Sequence, residues 1–213
     1  MQNYQVNPIL TEESTVPTVP EQKKMLRAQM KTVLREFCAT QDFVQASADA
    51  RQMVLESDAF ARADIVLGYL FHGNEADCTD VLYLALLMGK KVGLPRVISG
   101  TSEMNFYLLD GTLQFGDQIE RGAFGIGEPI PSLEMLSVDS SLLGKRILMI
   151  VPGLAFTKDG KRLGRGKGFY DRFIARLKAT GVDITLAGFC FPCQILDDMP
   201  TDIFDERLHT VFW

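Results

Sequence analysis

Strands alternating with helices predict an α/β protein: a three-layer α/β/α sandwich, Rossmann-like, with a mainly parallel sheet and a β-hairpin insertion. Three observations carry this. Short apolar runs bounded by turn residues recur along the chain and read as strands. Amphipathic segments fall between them. A strand, a helix and a strand follow one another within residues 64–95, and that is a right-handed parallel βαβ unit.

The elements follow in order. Residues 1–17 are polar and carry prolines, so they read as a tail, with 18–213 as one domain. Thr18 and Glu21 form a capping-box pattern that opens a helix. Its apolar face is Leu26, Met30, Val33, Leu34 and Phe37, and its polar face carries Lys23, Lys24, Arg27 and Lys31. The plain account of those cations is a solvated helix face. A second helix is expected over 42–61, then a buried strand over 64–70. Asp80 to Met88 reads as a helix with Gly89 just past its end. A strand over 91–95 is expected to stop at Pro95. Residues 105–109 and 112–115 flank Asp110-Gly111 and predict the hairpin. Residues 126–131 read as a rigid loop. Strands are expected at 145–151, 184–191 and 208–212, with a helix over 168–178.

Composition narrows the function. The chain has 213 residues, 46% hydrophobic and 23% charged, which excludes a disordered chain or a disulfide-stapled miniprotein. Its net charge of −5 argues against a nucleic-acid or membrane-surface binder. No apolar run is long enough to span a bilayer, and the N-terminus lacks a signal-like pattern. The four scattered cysteines fit a reducing cytoplasm. Cys190-Phe-Pro-Cys193 matches C-x-x-C, but it follows a strand-like run rather than opening a helix, so it reads as structural.

The charge is unevenly spread. Residues 158–178 hold eight cations against Asp159 and Asp171, a local +6 that leaves −11 for the rest of a −5 chain. The centre of this island is Gly160-Lys-Arg-Leu-Gly-Arg-Gly-Lys-Gly-Phe-Tyr-Asp171, running into a helix. Glycines let backbone N–H groups approach a ligand, a helix start adds orphan donors, and Arg162, Arg165 and Lys167 add full charges. All three favour a polyphosphate. The Walker A spacing fails because its first glycine would be Lys161 and its Ser/Thr would be Gly168. The dinucleotide G-x-G-x-x-G fails at Phe169. Asp171 is either a salt-bridge partner of Arg162 or Arg165 or a Mg²⁺ ligand, with a second carboxylate from Asp197, Asp198, Asp202 or Asp205.

Val151-Pro-Gly-Leu-Ala-Phe156, Gly160 and Arg162–Asp171 together resemble the signature of the 5-formyltetrahydrofolate cyclo-ligase (5,10-methenyltetrahydrofolate synthetase) family. Lys23–Arg27, Glu75-Ala-Asp77, Gly89-Lys90, Leu94-Pro95-Arg96, Gly125–Pro129, Pro200 and Asp205 agree in order, so the resemblance spans about residues 21–212. It implies an enzyme that closes 5-formyltetrahydrofolate to 5,10-methenyltetrahydrofolate with ATP and Mg²⁺, as a monomer or homodimer in the cytoplasm. It implies ATP contacts from Lys23, Lys24, Arg27 and the run Arg162, Leu163, Gly164, Arg165, Gly166, Lys167, Gly168, Phe169 and Tyr170. Leu70, Glu75 and the stretch Arg165–Phe169 would touch the folate, and Asp171 and Asp205 would hold Mg²⁺. Arg165 and Lys167 would offset charge on the moving phosphoryl group. The sequence departs from the family pattern with Cys78 for a usual Thr, Phe169 for a Tyr and His209 for an Asp. Two competing readings are a sugar-phosphate enzyme on the same fold, which would not need Glu75, and a non-catalytic binding module, which would not need Asp171 and Asp205.

Overall fold

The computed structural model describes residues 16–122 and 125–213. Most of the expected tail, residues 1–15, lies outside the described residues. The chain order is α1 (Val19–Phe37), α2 (Asp42–Leu55), α3 (Asp58–Arg62), β1 (Ile65–Leu67), α4 (Thr79–Leu87), β2 (Lys91–Val97), β3 (Met104–Leu108), β4 (Ile119–Arg121), β5 (Gly127–Pro129), β6 (Glu134–Met135), β7 (Arg146–Val151), β8 (Ala155–Thr157), β9 (Arg162–Leu163), α5 (Phe169–Ala179), β10 (Asp183–Phe189), β11 (Ile195–Leu196) and β12 (Thr210–Phe212).

The main sheet has the order β12-β10-β7-β1-β2-β3-β6, and its β12-β10-β7-β1-β2 part is parallel throughout. Strand alternation divides the core in two. Val66, Leu148 and Ile150 face one cluster with Met30, Leu34, Phe60 and Leu82 of the helices α1, α3 and α4. Ile65, Leu67, Ile147, Met149 and Val151 face the other, with Phe173, Ile174 and Leu177 of α5. A sheet covered on both faces is the three-layer sandwich that the apolar, unalternating strands predict.

Four expectations change in detail. The helix expected over 42–61 is broken after α2, because Ser57 Oγ accepts from Phe60 N at 3.1 Å and caps a new helix, α3. The strand expected over 64–70 keeps only Ile65–Leu67, and residues 68–70 turn toward the cavity described below. The strand expected to stop at Pro95 runs through it to Val97. Val92 O accepts from Leu109 N while Gly93 O accepts from Gly68 N, so odd positions of β2 face β1. Since β1 ends at Leu67, the missing N–H of Pro95 gives up no ladder bond.

The hairpin expected over 105–115 does not form. Residues 104–108 instead pair antiparallel with β2 and with β6. Asp110 does turn the chain, with its Oδ1 accepting from Thr112 N at 2.8 Å, but the returning segment folds around buried Gln118. Gln118 accepts from Asp110 N at 2.7 Å and donates to Asp110 O at 3.0 Å, so it takes the place of a returning strand. The hairpin of this region lies one segment later, β4 against β5, and β5 falls within residues 126–131, which read from sequence as a rigid loop.

Candidate active site

The parallel strands end at one edge, and the island leaves that edge from β7. It first forms the short antiparallel pair β8–β9. Gly160 makes the turn between them at φ 90°, where a Cβ would lie 2.2 Å from Leu208 O, and its own carbonyl accepts from Leu208 N at 2.8 Å. This first glycine is therefore structural: it ties the turn to the approach of β12. The later glycines are the open loop. Gly166 has φ 98°, and Gly168 at φ 68° starts α5 with no side-chain cap. The first-turn N–H groups of α5 thus face outward from the loop with the positive end of the helix dipole.

Two groups of cations hold this loop. Arg27 on α1 donates from Nε to Gly164 O at 2.9 Å and lies 3.3 Å from where a Cβ on Gly166 would be. Arg162, only 7% exposed, donates to Asp171 Oδ1 at 2.6 Å and to Pro152 O at 3.2 Å. Its Nε is the one buried side-chain donor or acceptor without a partner among the described residues. Lys23, 5% exposed, bridges Asp202 at 2.6 Å and Asp205 at 2.5 Å. The hydrogen bond from Lys23 is the main cause that holds the Asp202 carboxyl below its ordinary range. Arg165 binds Glu75 Oε1 at 2.8 Å from its terminal nitrogen, and Glu75 Oε2 accepts from His72 N at 3.0 Å. Lys167 is exposed, its carbonyl accepts from Arg172 at 2.6 Å, and its side chain has no hydrogen-bond or ion-pair partner among the described residues.

These groups enclose a cavity of about 1020 Å³. Lys23, Arg27, Leu70, Glu75, Asp205 and the whole run Arg162–Asp171 line it, whereas Lys24 stands exposed on α1 and does not. The cations of α1 are thus split: Lys23 and Arg27 turn inward, Lys31 reaches the cavity from an exposed position, and Lys24 and Arg35 lie on the solvated face. Burial raises the Tyr170 phenol above its ordinary range, and Arg162 lies 5.8 Å from that ring's centroid. Phe169 lies on the same wall with Arg172 at 6.0 Å from its ring.

Asp171 and Asp205 share one wall, since the N–H of Glu206 reaches Asp171 Oδ1 at 3.4 Å. Each keeps one carboxylate oxygen, Oδ2 of Asp171 and Oδ1 of Asp205, without a protein donor among the described residues. Two half-committed carboxylates beside the cations of this loop fit Mg²⁺, which takes one or two carboxylates and completes its shell with phosphate and water. No group of three or more His, Cys, Asp or Glu side chains among the described residues could hold an ion on protein ligands alone.

Sequence reasoning left other lining residues unassigned, among them His72, Met104 and Glu128. Glu128 is 4% exposed and accepts from Val97 N at 3.2 Å. Its signal was present in Gly125–Pro129, which carries the family resemblance without a role for the acid. The departures from the family pattern find structural uses. Cys78 donates from Sγ to Tyr69 O at 3.3 Å, and burial pushes its thiol up to about 12. His209 Nδ1 accepts from Leu186 N at 2.8 Å. At the C-x-x-C pair, burial raises Cys190 and pushes Cys193 up to about 11, the opposite of thiolate activation, in line with the structural reading.

Comparison with known proteins agrees with this geometry. Residues 19–213 match the model of the 5-formyltetrahydrofolate cyclo-ligase family. A probable 5-formyltetrahydrofolate cyclo-ligase of Caenorhabditis elegans is 30% identical over 74% of each chain. The mouse 5-formyltetrahydrofolate cyclo-ligase is 27% identical over 92% of this chain and 95% of its own. The solved 5,10-methenyltetrahydrofolate synthetase of Aquifex aeolicus superposes with a TM-score of 0.67 at 25% identity, covering 88% of this chain and 89% of that one. The Mycoplasma pneumoniae synthetase, at 20% identity and TM-score 0.64, shares the fold.

Proposed function

The chain belongs to the 5-formyltetrahydrofolate cyclo-ligase family, and from that premise we propose that it closes 5-formyltetrahydrofolate to 5,10-methenyltetrahydrofolate at the expense of ATP, with Mg²⁺, as one domain over residues 18–213 in the cytoplasm. The observation that carries the reading is the single cavity on which Lys167, Asp171, Asp205 and Glu75 converge.

The formyl oxygen attacks the γ-phosphorus of ATP and ADP leaves. The C–O bond is now primed to break. The N10 lone pair attacks the activated carbon, phosphate departs with the oxygen, and N10 gives up its proton. Such a reaction asks the protein for alignment and for charge placed in advance. Lys167 and the open N–H groups at the start of α5 receive the nucleotide phosphates. Arg165, paired with Glu75 on the same cavity, would offset charge on the phosphoryl group as it passes from ATP to the formyl oxygen. Glu75, with lone pairs left beyond its Arg165 and His72 contacts, accepts from the pterin's N–H donors. Leu70 supplies an apolar wall. Asp171 and Asp205 would hold Mg²⁺, which when bound neutralises the β- and γ-phosphate oxygens.

The test is to mix the purified protein with 5-formyltetrahydrofolate, ATP and Mg²⁺ and follow the near-UV absorbance of the methenyl product. Product that needs both ATP and Mg²⁺ is expected. Its absence under these conditions overturns the proposal.

A further inference from the structure

Six carboxylates line the large cavity: Glu75, Glu128, Asp171, Asp202, Asp205 and Glu206. Five of them are ion-paired. Glu75 holds Arg165, Asp171 holds Arg162, Asp202 and Asp205 share Lys23, and Glu206 binds Lys178. Glu128 has no cation within ion-pair distance among the described residues, yet it is the one buried acid of the six. Glu120 stands opposite it across the β4–β5 pair, and Arg96 of β2 answers that charge at 2.7 Å while also donating to Pro129 O. Arg96 is therefore committed elsewhere.

Glu128 is held by one oxygen only. Its Oε1 accepts from Val97 N at 3.2 Å. Its Oε2 has no donor among the described residues, and it is not sealed off, since the one sealed side-chain atom without a partner is Arg162 Nε. Gly122 makes the room, because a Cβ there would overlap Oε2. The surroundings are the folate side of the cavity. Gly127 packs on Leu70, whose Cδ1 would lie 3.0 Å from a Cβ at that glycine. Leu70, Pro95, Val97, Met104 and Ile126 make this wall apolar. A buried carboxylate with no counter-ion is costly, and a proton or a donor brought by the ligand relieves the cost.

Ring closure requires N10 to lose a proton, and the five other carboxylates are occupied by cations. His72, the histidine of this cavity, is exposed. We propose that Glu128 is the base that takes the N10 proton. The inference rests on the cyclo-ligase reading above and deepens it. The N10 lone pair forms the bond to the activated formyl carbon. The N10–H electrons stay on nitrogen as the proton passes to Oε2, which leaves a neutral carboxylic acid. The carbon–oxygen bond then breaks, and its electrons leave with phosphate. Phosphoryl transfer comes before this step and does not use Glu128.

The experiment is a rapid-quench single turnover with ATP, Mg²⁺ and 5-formyltetrahydrofolate, in which ADP and methenyl product are counted separately. Glu128→Gln keeps the size of the side chain and an oxygen for Val97 N, but it cannot take the proton. In this variant ADP forms at the parent rate, and methenyl product appears about a hundredfold more slowly. Calorimetric Kd for the folate stays within twofold, and the melting temperature does not fall. Glu128→Asp recovers part of the closure rate. Near-parent product formation in Glu128→Gln overturns the role. ADP and product slowed in step, or folate binding lost, marks a positioning group and overturns the base. A parent that makes neither ADP nor methenyl product overturns the reaction, and the base with it.

Discussion

Arg162 and Lys167 lie on one loop five residues apart and meet opposite surroundings. The Arg162 side chain is 4% exposed and paired with Asp171; Lys167 is open to the cavity with no partner among the described residues. The same contrast separates Lys23, buried between Asp202 and Asp205, from Arg172 and Arg176 on α5. A buried cation must be paired, because desolvation of a lone charge costs more than the fold can offset. Its charge then shapes the wall rather than the ligand. An exposed cation needs no partner and keeps its charge for a ligand. One loop thus contains a buried, paired cation at Arg162 and an exposed, unpaired side chain at Lys167, with Arg165, 47% exposed yet paired with Glu75, between them.

Substitutions can break that distinction. The largest effect is expected at Asp171→Ala, which touches both classes. It removes a proposed Mg²⁺ ligand and leaves Arg162 buried and unpaired, so turnover is abolished and stability falls by about 3–5 kcal/mol, read from chemical denaturation. The double variant Arg162→Met/Asp171→Leu regains most of the stability and none of the activity. Lys167→Ala comes next. It lowers kcat by about 10²–10³ with an unchanged melting temperature, since the side chain holds nothing in the free protein. Glu75→Gln follows, with KM for the folate raised about tenfold and KM for ATP unaltered in steady-state assays.

The smallest effect concerns His209. Burial, aided by the nearby Lys178 charge, lowers its pKa below the usual 6.5. A base with a depressed folded-state pKa favours the native state fully above pH 6.5 and loses that contribution as pH falls through the folded value. The melting temperature therefore declines more between pH 7 and 5 in the parent than in His209→Gln, by about 2 °C. Equal slopes would remove His209 from the account.

Much of the fold was legible because burial imposes periods on the sequence. The α1 face at Leu26, Met30 and Leu34 and the apolar run of β7 announce themselves. What escaped depends on hydrogen bonds that periodicity does not encode. Ser57 interrupts a helical pattern with a cap, and Gln118 replaces a strand by satisfying the Asp110 backbone. Pro95 was misjudged because its cost depends on where β1 stops, a property of another strand. At the site, residue order singled out the run Arg162–Asp171 and the family resemblance singled out Asp205, and the structure lines one cavity with both. They could not separate Lys23 from Lys24, one residue apart, since only packing against residues 202–205 distinguishes them. Nor could they show that Gly160 serves β12 rather than the loop.

The most direct test of the central claim is a turnover experiment with γ-labelled ATP, counting phosphate released against methenyl product formed. The account predicts one phosphate per methenyl group, no phosphate without the folate, and loss of both in Lys167→Ala at unchanged melting temperature. Phosphate release uncoupled from product, or near-parent rates in Lys167→Ala, would contradict it.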